Sequence, residues 1–276
     1  MELKFKENDF QSFEPIPYLD EYFNYPANSY GGVGVENEQF LQFFAQAAHD
    51  HDLNNSLLLD FGSGPTIYSI ISLGQNSREI HMSDYLQQNL AQVELWQQDS
   101  PQAFNWNPYL RRALQMETAL NQNTPIEDSL DITITDEQVQ QRATLLRKKI
   151  TSIKQGNARD NNPVGAEGKE LYEVVVSSFC LEGVAEDLTA WKKLLTNLTS
   201  TIKSGGLLVF ATQIEADSYR IGEGYGTIVN LTEKDIVEAL LERNFLADSI
   251  KTKELSGGPN HTEYDKFLML TARLAP

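Results

Sequence analysis

The sequence predicts a doubly wound α/β fold, and three features carry that prediction. An apolar run, Leu57-Leu58-Leu59, ends in Asp60 and a glycine-rich turn, Gly62-Ser63-Gly64-Pro65-Thr66. Apolar residues at helical spacing, Ile67, Ile70 and Ile71, follow it, so the stretch has the pattern of strand, tight loop and helix. A second strand pattern, Glu79-Ile80-His81-Met82-Ser83-Asp84-Tyr85, puts the acid Asp84 twenty residues after Gly64. In such a sheet Asp84 would stand at the carboxyl edge of the neighbouring strand, suited to grip a ribose diol. Third, strand-like and helix-like segments alternate along the chain, which places helices on both faces and a ligand crevice at the strands' carboxyl ends.

In chain order, residues 10–30 are aromatic-rich and interrupted by Pro15, Pro17 and Pro26, which predicts a loop. Residues 36–50 carry a helical pattern (Phe40, Leu41, Phe44, Ala45, Ala48) that leads into the first strand. The helix after the second strand is expected over 86–97. From 107 to 149 the alternation breaks. This stretch is rich in Gln, Asn and Glu, with helix expected around 136–149, and it is read as an insertion with few apolar residues to bury. Further strands are expected at 151–154, 173–178 and 206–213. A helix over 187–203 should stop at Ser204-Gly205-Gly206. The last helix, 232–243, opens on the capping pattern Thr232-Glu233-Lys234-Asp235. Closing strands are expected at 245–252 and 265–274. The expected organisation is one domain over 1–276, with 1–50 forming a lid and leading helix and 107–149 a polar insertion.

The glycine loop selects between cofactors. A dinucleotide site needs G-x-G-x-x-G, the third glycine admitting the helix close to the strand and the helix N-terminus facing a pyrophosphate. Here Ile67 occupies the third position, and Asp60 stands just before the first glycine. A carboxylate there suits a ligand carrying positive charge. S-adenosylmethionine fits, having an adenosine, a sulfonium and an ammonium but no phosphate. A dehydrogenase is the weaker reading.

Asp60-Phe61-Gly62-Ser63-Gly64-Pro65-Thr66-Ile67-Tyr68, then Asp84-Tyr85 with Gln88-Asn89-Leu90, resembles the small-molecule methyltransferases that include nicotinamide, phenylethanolamine, indolethylamine and thioether methyltransferases. Ala103-Phe104-Asn105-Trp106, Ser178-Phe179-Cys180-Leu181-Glu182, Lys203-Ser204-Gly205-Gly206 and Tyr219-Arg220-Ile221-Gly222-Glu223 match the same family in order, from about Tyr18 to Arg273. The resemblance implies a Rossmann-like, seven-stranded and mostly parallel methyltransferase sheet with one antiparallel strand, an N-terminal lid, and S-adenosyl-L-methionine as cofactor.

It also implies residue roles. Tyr18, Asp60, Gly62, Ser63, Gly64, Thr66, Tyr68, Asp84, Tyr85, Asn89, Asn157, Ala158, Ser178 and Phe179 would contact the cofactor. Asp84 and Asn89 would take the ribose, Tyr85 would pack on the adenine, and Asn157-Ala158 would hold its edge. Tyr18 and Tyr68 could stabilise a cation by cation–π attraction, about 0.5–2 kcal/mol each. Tyr22, Glu182, Glu215 and Tyr219 would line the acceptor site. Glu182 matches an acidic position in the amine-methylating members, and would bind an ammonium or relay its proton. The acid of the catecholamine-type enzyme is replaced by Ala216 and that of the nicotinamide type by Thr212, which weakens transfer of those two substrates. The function expected is methylation of a small molecule at an amine nitrogen. The alternatives are an S- or Se-acceptor of thioether type, or a catalytically silent cofactor-binding protein.

Composition narrows the partners. Thirty-nine acids against 22 bases give a net charge of −17. Nonspecific nucleic-acid binding needs a basic footprint, so it is disfavoured, whereas a cationic amine is compatible. Hydrophobic content of 41% supports a real core without any stretch of membrane-span length. Met1 to Glu7 lacks the apolar centre of a signal peptide, and Cys180 has no cysteine to pair with, so a cytoplasmic monomer is expected. His49-Asp50-His51-Asp52, His81 and His261 show no zinc-ligand spacing, and no metal is expected.

Overall fold

A computed structural model describes residues 10, 13–27, 29–221, 224–256 and 266–276. In chain order the elements are α1 (Pro15–Tyr22), α2 (Val35–Asp50), β1 (Leu57–Phe61), α3 (Ile70–Leu73), β2 (Glu79–Asp84), α4 (Gln87–Gln97), α5 (Asn107–Asn121) and α6 (Asp136–Lys149). Then come β3 (Ile150–Gln155), β4 (Tyr172–Ser178), α7 (Leu181–Val184), α8 (Leu188–Thr199), β5 (Ile202–Ile214), β6 (Ser218–Ile221), β7 (Gly224–Thr227), α9 (Glu233–Glu242), β8 (Lys251–Ser256) and β9 (Lys266–Arg273).

Seven strands form one sheet in the order β3-β2-β1-β4-β5-β9-β8. The pairings from β3 to β5 are parallel, while β9 runs antiparallel to both β5 and β8. The mostly parallel sheet with one reversed strand is therefore present. Strand order reverses between β1 and β4, so loops leave their carboxyl ends in opposite directions and open a crevice there. The central strands are buried on both faces, as β1 (LLLDF) shows with every residue buried. One face packs against α2, α3, α5 and α6 through Phe40, Phe44, Tyr109, Met116 and Leu146. The other packs against α8 and α9 through Trp191, Leu194, Leu198, Ile236 and Leu240.

Several elements depart from the sequence expectations, each for an identifiable reason. Residues 10–30 are not all loop. Pro15 occupies the first position of α1, where an amide hydrogen has no intrahelical partner to lose, so it starts a helix instead of preventing one. The stretch 107–149 buries a good deal of apolar surface. In α5, Tyr109, Leu110, Ala113, Met116 and Ala119 are fully buried at helical spacing. A few charged residues are buried there too, in pairs: Arg112 forks onto Glu38 of α2 with contacts of 2.5–2.9 Å, and Arg142 of α6 binds Glu117 of α5 at 2.6 Å. Removing one partner of such a pair strands a buried charge and costs about 3–5 kcal/mol.

Farther on, α8 stops at Thr199 and β5 begins at Ile202, before the glycines. Gly205 lies inside the strand with φ +74, where the β4–β5 register shifts; it marks a strand irregularity and not a helix stop. Phe245 makes an isolated bridge to Leu274, and the strand expected at 245–252 begins only at Lys251. The β6–β7 hairpin has no counterpart in the sequence reading. The capping box of α9, Thr232 with Asp235, forms as expected. His261, Gly222, Glu223 and Asp265 lie outside the described residues.

Candidate active site

The glycine loop leaves β1 with both glycines in left-handed backbone, Gly62 at φ +71 and Gly64 at φ +59. Their reasons differ. A Cβ on Gly62 would stand 2.3 Å from Sγ of Cys180, so this position is held free by the neighbouring chain. A Cβ on Gly64 would meet nothing within 4 Å, because that face opens on the crevice. The loop is braced from behind: the amides of Gly62 and Ser63 both donate to the Ser83 carbonyl, at 2.8 and 3.0 Å, and Thr66 Oγ1 donates to the Ser63 carbonyl at 2.7 Å.

Asp84 joins this loop to α4. Its Oδ2 accepts from the Gly64 amide at 2.9 Å, and its Oδ1 accepts from the Leu86 amide and Asn89 Nδ2 at 2.8 and 3.0 Å. Burial raises its pKa, with those hydrogen bonds working against the shift. Asn89 is buried, and its own Oδ1 has no partner among the described residues. Asp60, one strand over, accepts from the Ser69 hydroxyl. Burial, reinforced by the charge of Asp84 and opposed by Ser69, pushes it up to about 7.

One cleft at the carboxyl ends of β1, β2, β4 and β5 is lined by Tyr18, Tyr22, Asp60, Gly62, Ser63, Gly64, Thr66, Tyr68, Asp84, Tyr85, Asn89, Asn157, Ala158, Ser178, Phe179, Glu182 and Tyr219. These are all the singled-out residues except Glu215. Glu215 is exposed, carries φ +54 just past β5, and pairs with Lys266 at 3.0 Å outside the cleft. Asn157 Oδ1 accepts from the Arg159 amide at 3.0 Å, closing a local turn beside Ala158. Tyr85 is 52% exposed at the rim.

Glu182 is the opposite of a surface acid. It is 2% exposed at the first turn of α7, and its Oε1 accepts from the Gln213 amide at 3.3 Å. Phe179, held in left-handed backbone at φ +54, turns its ring between Phe40 at 5.0 Å and Phe267 at 5.5 Å. Those three rings form an apolar wall of the cleft that Glu182 also lines. Burial first, then Tyr18 and Asp60, push the Tyr68 phenol well above its ordinary value, and burial does the same for Cys180. Both groups are therefore neutral, and Cys180 is not a thiolate nucleophile.

Above the cleft sits α1. Tyr18 packs on Tyr22 and Phe23 with ring centroids 5.1 and 5.9 Å apart. Asn37 Nδ2 donates to the Tyr22 carbonyl at 2.6 Å and to the Tyr109 hydroxyl at 2.9 Å, and Gln88 of α4 donates to the Phe13 carbonyl. Glu36, Asn37, Phe40, Gln213 and Phe267 also line the cleft, and the sequence reading gave none of them a role. For Gln213 a signal existed: a polar residue sits in register with Val209 and Ala211 on an apolar strand face.

The sequence model of the NNMT/PNMT/TEMT family matches residues 2–274. Phenylethanolamine N-methyltransferase of Rattus norvegicus is 28% identical over 245 residues, which covers 88% of this chain and 80% of that protein. Nicotinamide N-methyltransferase of Homo sapiens is 25% identical over 268 residues, covering 97% and 95% respectively. Among solved structures, magnesium protoporphyrin IX methyltransferase from Synechocystis PCC 6803 superposes with a TM-score of 0.50 at 14% identity, over 96% of this chain and 99% of that one, a likeness of fold.

Proposed function

The chain belongs to the NNMT/PNMT/TEMT family of S-adenosylmethionine-dependent methyltransferases, and from that premise we propose that it methylates the nitrogen of a small cationic amine. The observation that carries this reading is the charge of the cleft. Four carboxylates line it, Glu36, Asp60, Asp84 and Glu182, and Arg159 is the sole lysine or arginine among its described residues. A phosphate-bearing dinucleotide would meet net repulsion there, whereas a sulfonium and an ammonium meet attraction.

The residues fit the cofactor. The open face of Gly64 leaves room for a ligand against the backbone, and the unpartnered Oδ1 of Asn89 awaits a hydroxyl donor. We assign the ribose to Asp84 and Asn89, the adenine to Tyr85 and Asn157-Ala158, and the methionine part to Asp60, Gly62, Ser63, Gly64 and Thr66. Tyr18, Tyr68, Ser178 and Phe179 surround the sulfonium. When bound, the cofactor supplies a methyl group activated by the positive sulfur. The chain's own task is to hold the acceptor lone pair in line and keep water out. Glu182 takes the ammonium and receives its proton directly or through water, because a protonated nitrogen has no lone pair to offer. Phe40, Phe179 and Phe267 cover the acceptor's apolar body, with Tyr22 and Tyr219 closing the pocket.

The remaining assignments are a monomer in the cytoplasm that engages neither nucleic acid nor membrane. The net charge of −17 supports the exclusion of nucleic acid, and among the described residues no helix is long and apolar enough to cross a membrane. The test of the activity is a screen of amine, pyridine and sulfide acceptors with methyl-labelled S-adenosylmethionine, reading product mass. Labelled methyl on an amine nitrogen supports the proposal; label on sulfur alone overturns it.

A further inference from the structure

Gln213 is the penultimate residue of β5, and strand alternation puts its side chain on the face of Val209 and Ala211, which pack in the core with Phe40 and Phe267. Its carboxamide therefore interrupts an apolar surface. The residue is 9% exposed and lines the cleft, and Oε1 is buried with no partner among the described residues. A buried acceptor left without a donor destabilises the fold, and an apolar side chain of the same shape would not. The oxygen is thus poised for a donor that arrives with a ligand. The backbone amide of the same residue donates to Glu182 Oε1 at 3.3 Å, so α7 is tied to the end of β5 and both residues line one cleft.

Resting on the amine reading above, we propose that Gln213 Oε1 accepts an N–H of the acceptor and makes the enzyme selective for primary amines. A primary ammonium that has given up one proton keeps two N–H groups. As its lone pair forms the new bond to the methyl carbon, the carbon–sulfur pair departs on sulfur and the nitrogen gains positive charge. Both N–H groups become stronger donors at that moment. Glu182 accepts one and Gln213 the other. A secondary amine has a single N–H and can bond only one of the two groups; a tertiary amine, a pyridine nitrogen or a thioether bonds neither. The methylated product of a primary amine is itself secondary, so transfer slows after one methyl. A site built to hydrogen-bond a substrate N–H rejects analogues lacking it far more strongly than an apolar pocket rejects an extra methyl.

The probes are 2-phenylethylamine, its N-methyl derivative, 3-methylpyridine and dimethyl sulfide, with labelled S-adenosylmethionine and either the wild-type enzyme or Gln213→Met. Methionine keeps the length and volume and removes the carboxamide. The wild type should favour the primary over the secondary amine by about tenfold or more in kcat/KM, the scale of one hydrogen bond to a charged group. Gln213→Met should lower the primary-amine value by a similar factor, change the secondary-amine value much less, and leave S-adenosylhomocysteine affinity unchanged. Gln213→Asn, which retracts the carboxamide, should narrow the preference in the same way and serves if the methionine variant does not fold. Amine methylation with an unaltered primary-to-secondary ratio in both variants would overturn the role of Gln213 while the amine reading stands. Methylation of the pyridine or sulfide, with neither amine accepted, would overturn both.

Discussion

The hydroxyl of Tyr109 donates to the backbone carbonyl of Phe23 across 3.2 Å and accepts from Asn37, so α5 clasps the C-terminal end of α1 over the cleft. Tyr109 is fully buried, so Tyr109→Phe takes the donor from the Phe23 carbonyl and the acceptor from one Asn37 N–H, at a cost of about 1–3 kcal/mol. The loss should fall locally. Hydrogen exchange of residues 18–23 should accelerate more than that of β1, and S-adenosylhomocysteine should bind more weakly while slowing that exchange. Uniform acceleration across the sheet, or no ligand protection of α1, would remove the lid from the account.

Gly62 and Gly64 should separate stability from binding. Gly62→Ala places a methyl group 2.3 Å from Cys180 Sγ in a left-handed backbone, so the melting temperature should fall. Cys180→Ala combined with it should recover part of the loss, leaving the backbone component. Gly64→Ala meets only open space, so its fold should suffer just the backbone strain, while cofactor affinity drops because the methyl occupies the ligand's approach. Calorimetric binding and thermal melts on the same samples decide this. Intact binding by Gly64→Ala would place the cofactor elsewhere.

Asp60 gives a pH dependence with a definite sign. Its carboxyl is pushed up to about 7, against an ordinary value near 4, mainly by burial. In the unliganded protein this group favours folding in its protonated form. Its contribution to stability is therefore full below about pH 4 and lost as pH rises towards 7. The methionine part assigned to Asp60 stays cationic, through its sulfonium at every pH, and favours the ionised carboxylate beside it. S-adenosylmethionine affinity should thus fall as pH drops below 7, approaching about tenfold per unit. Asp60→Asn should flatten that portion of the profile, leaving whatever Asp84 contributes, whose pKa burial also raises. A wild-type dissociation constant independent of pH between 6 and 8 would show that Asp60 does not face the charge.

Much of the proposed cofactor half was legible because its constraints are local. Asp60, Gly62, Gly64 and Asp84 belong to one strand–loop–helix unit and the strand beside it, where a turn and a spacing determine the geometry. Their hydrogen bonds follow suit, with Asp84 reaching Gly64 twenty residues away. Asp84 is nonetheless both a brace and a candidate ribose ligand, a distinction that spacing alone does not make. The proposed acceptor half is assembled from distant segments that line the cleft: Phe40 of α2, Phe179 after β4, Gln213 of β5 and Phe267 of β9. No motif links them, so only strand parity hinted at Gln213. The expectation that 107–149 had few apolar residues to bury failed because overall composition outweighed the helical spacing of Tyr109, Ala113 and Met116. Glu215 was misplaced for a different reason. Just past the strand end the chain turns through φ +54, and its side chain points to Lys266.

Asp84 should also tell ligand from brace. Asp84→Ala removes the acceptor for Gly64, Leu86 and Asn89 together, so both stability and cofactor affinity should fall, the latter by about 1.5–3 kcal/mol. Removing only the 2′- and 3′-hydroxyls from S-adenosylhomocysteine leaves the brace untouched. If Asp84 holds the ribose, the wild type should bind the dideoxy ligand much more weakly, and Asp84→Ala should distinguish the two ligands less, keeping only what Asn89 contributes. A mutant that still distinguishes the two ligands as the wild type does would make Asp84 a brace only.

Glu182 separates an amine enzyme from a sulfur enzyme. The residue is 2% exposed, lines the same cleft as the three phenylalanine rings, and accepts from the Gln213 amide. Glu182→Gln keeps an acceptor for that amide and nearly the same shape, so the fold and S-adenosylmethionine affinity should change little. The substitution removes the charge that would pair with an ammonium and the base that would take its proton. With an amine acceptor the mutant should lose at least about tenfold in kcat/KM, in line with a hydrogen bond to a charged group. The division of that loss identifies the role. A higher KM with kcat unchanged means Glu182 only binds the cation, whereas a fall in kcat means it also handles the proton in the transition state. Raising the pH towards the amine's own pKa supplies deprotonated acceptor from solution, so a lost base should be partly compensated there and a lost cation site should not. A sulfide has no proton to give and no positive charge to pair, and toward it the mutant should match the wild type. Undiminished amine turnover by Glu182→Gln would leave the carboxylate as a strut between α7 and β5.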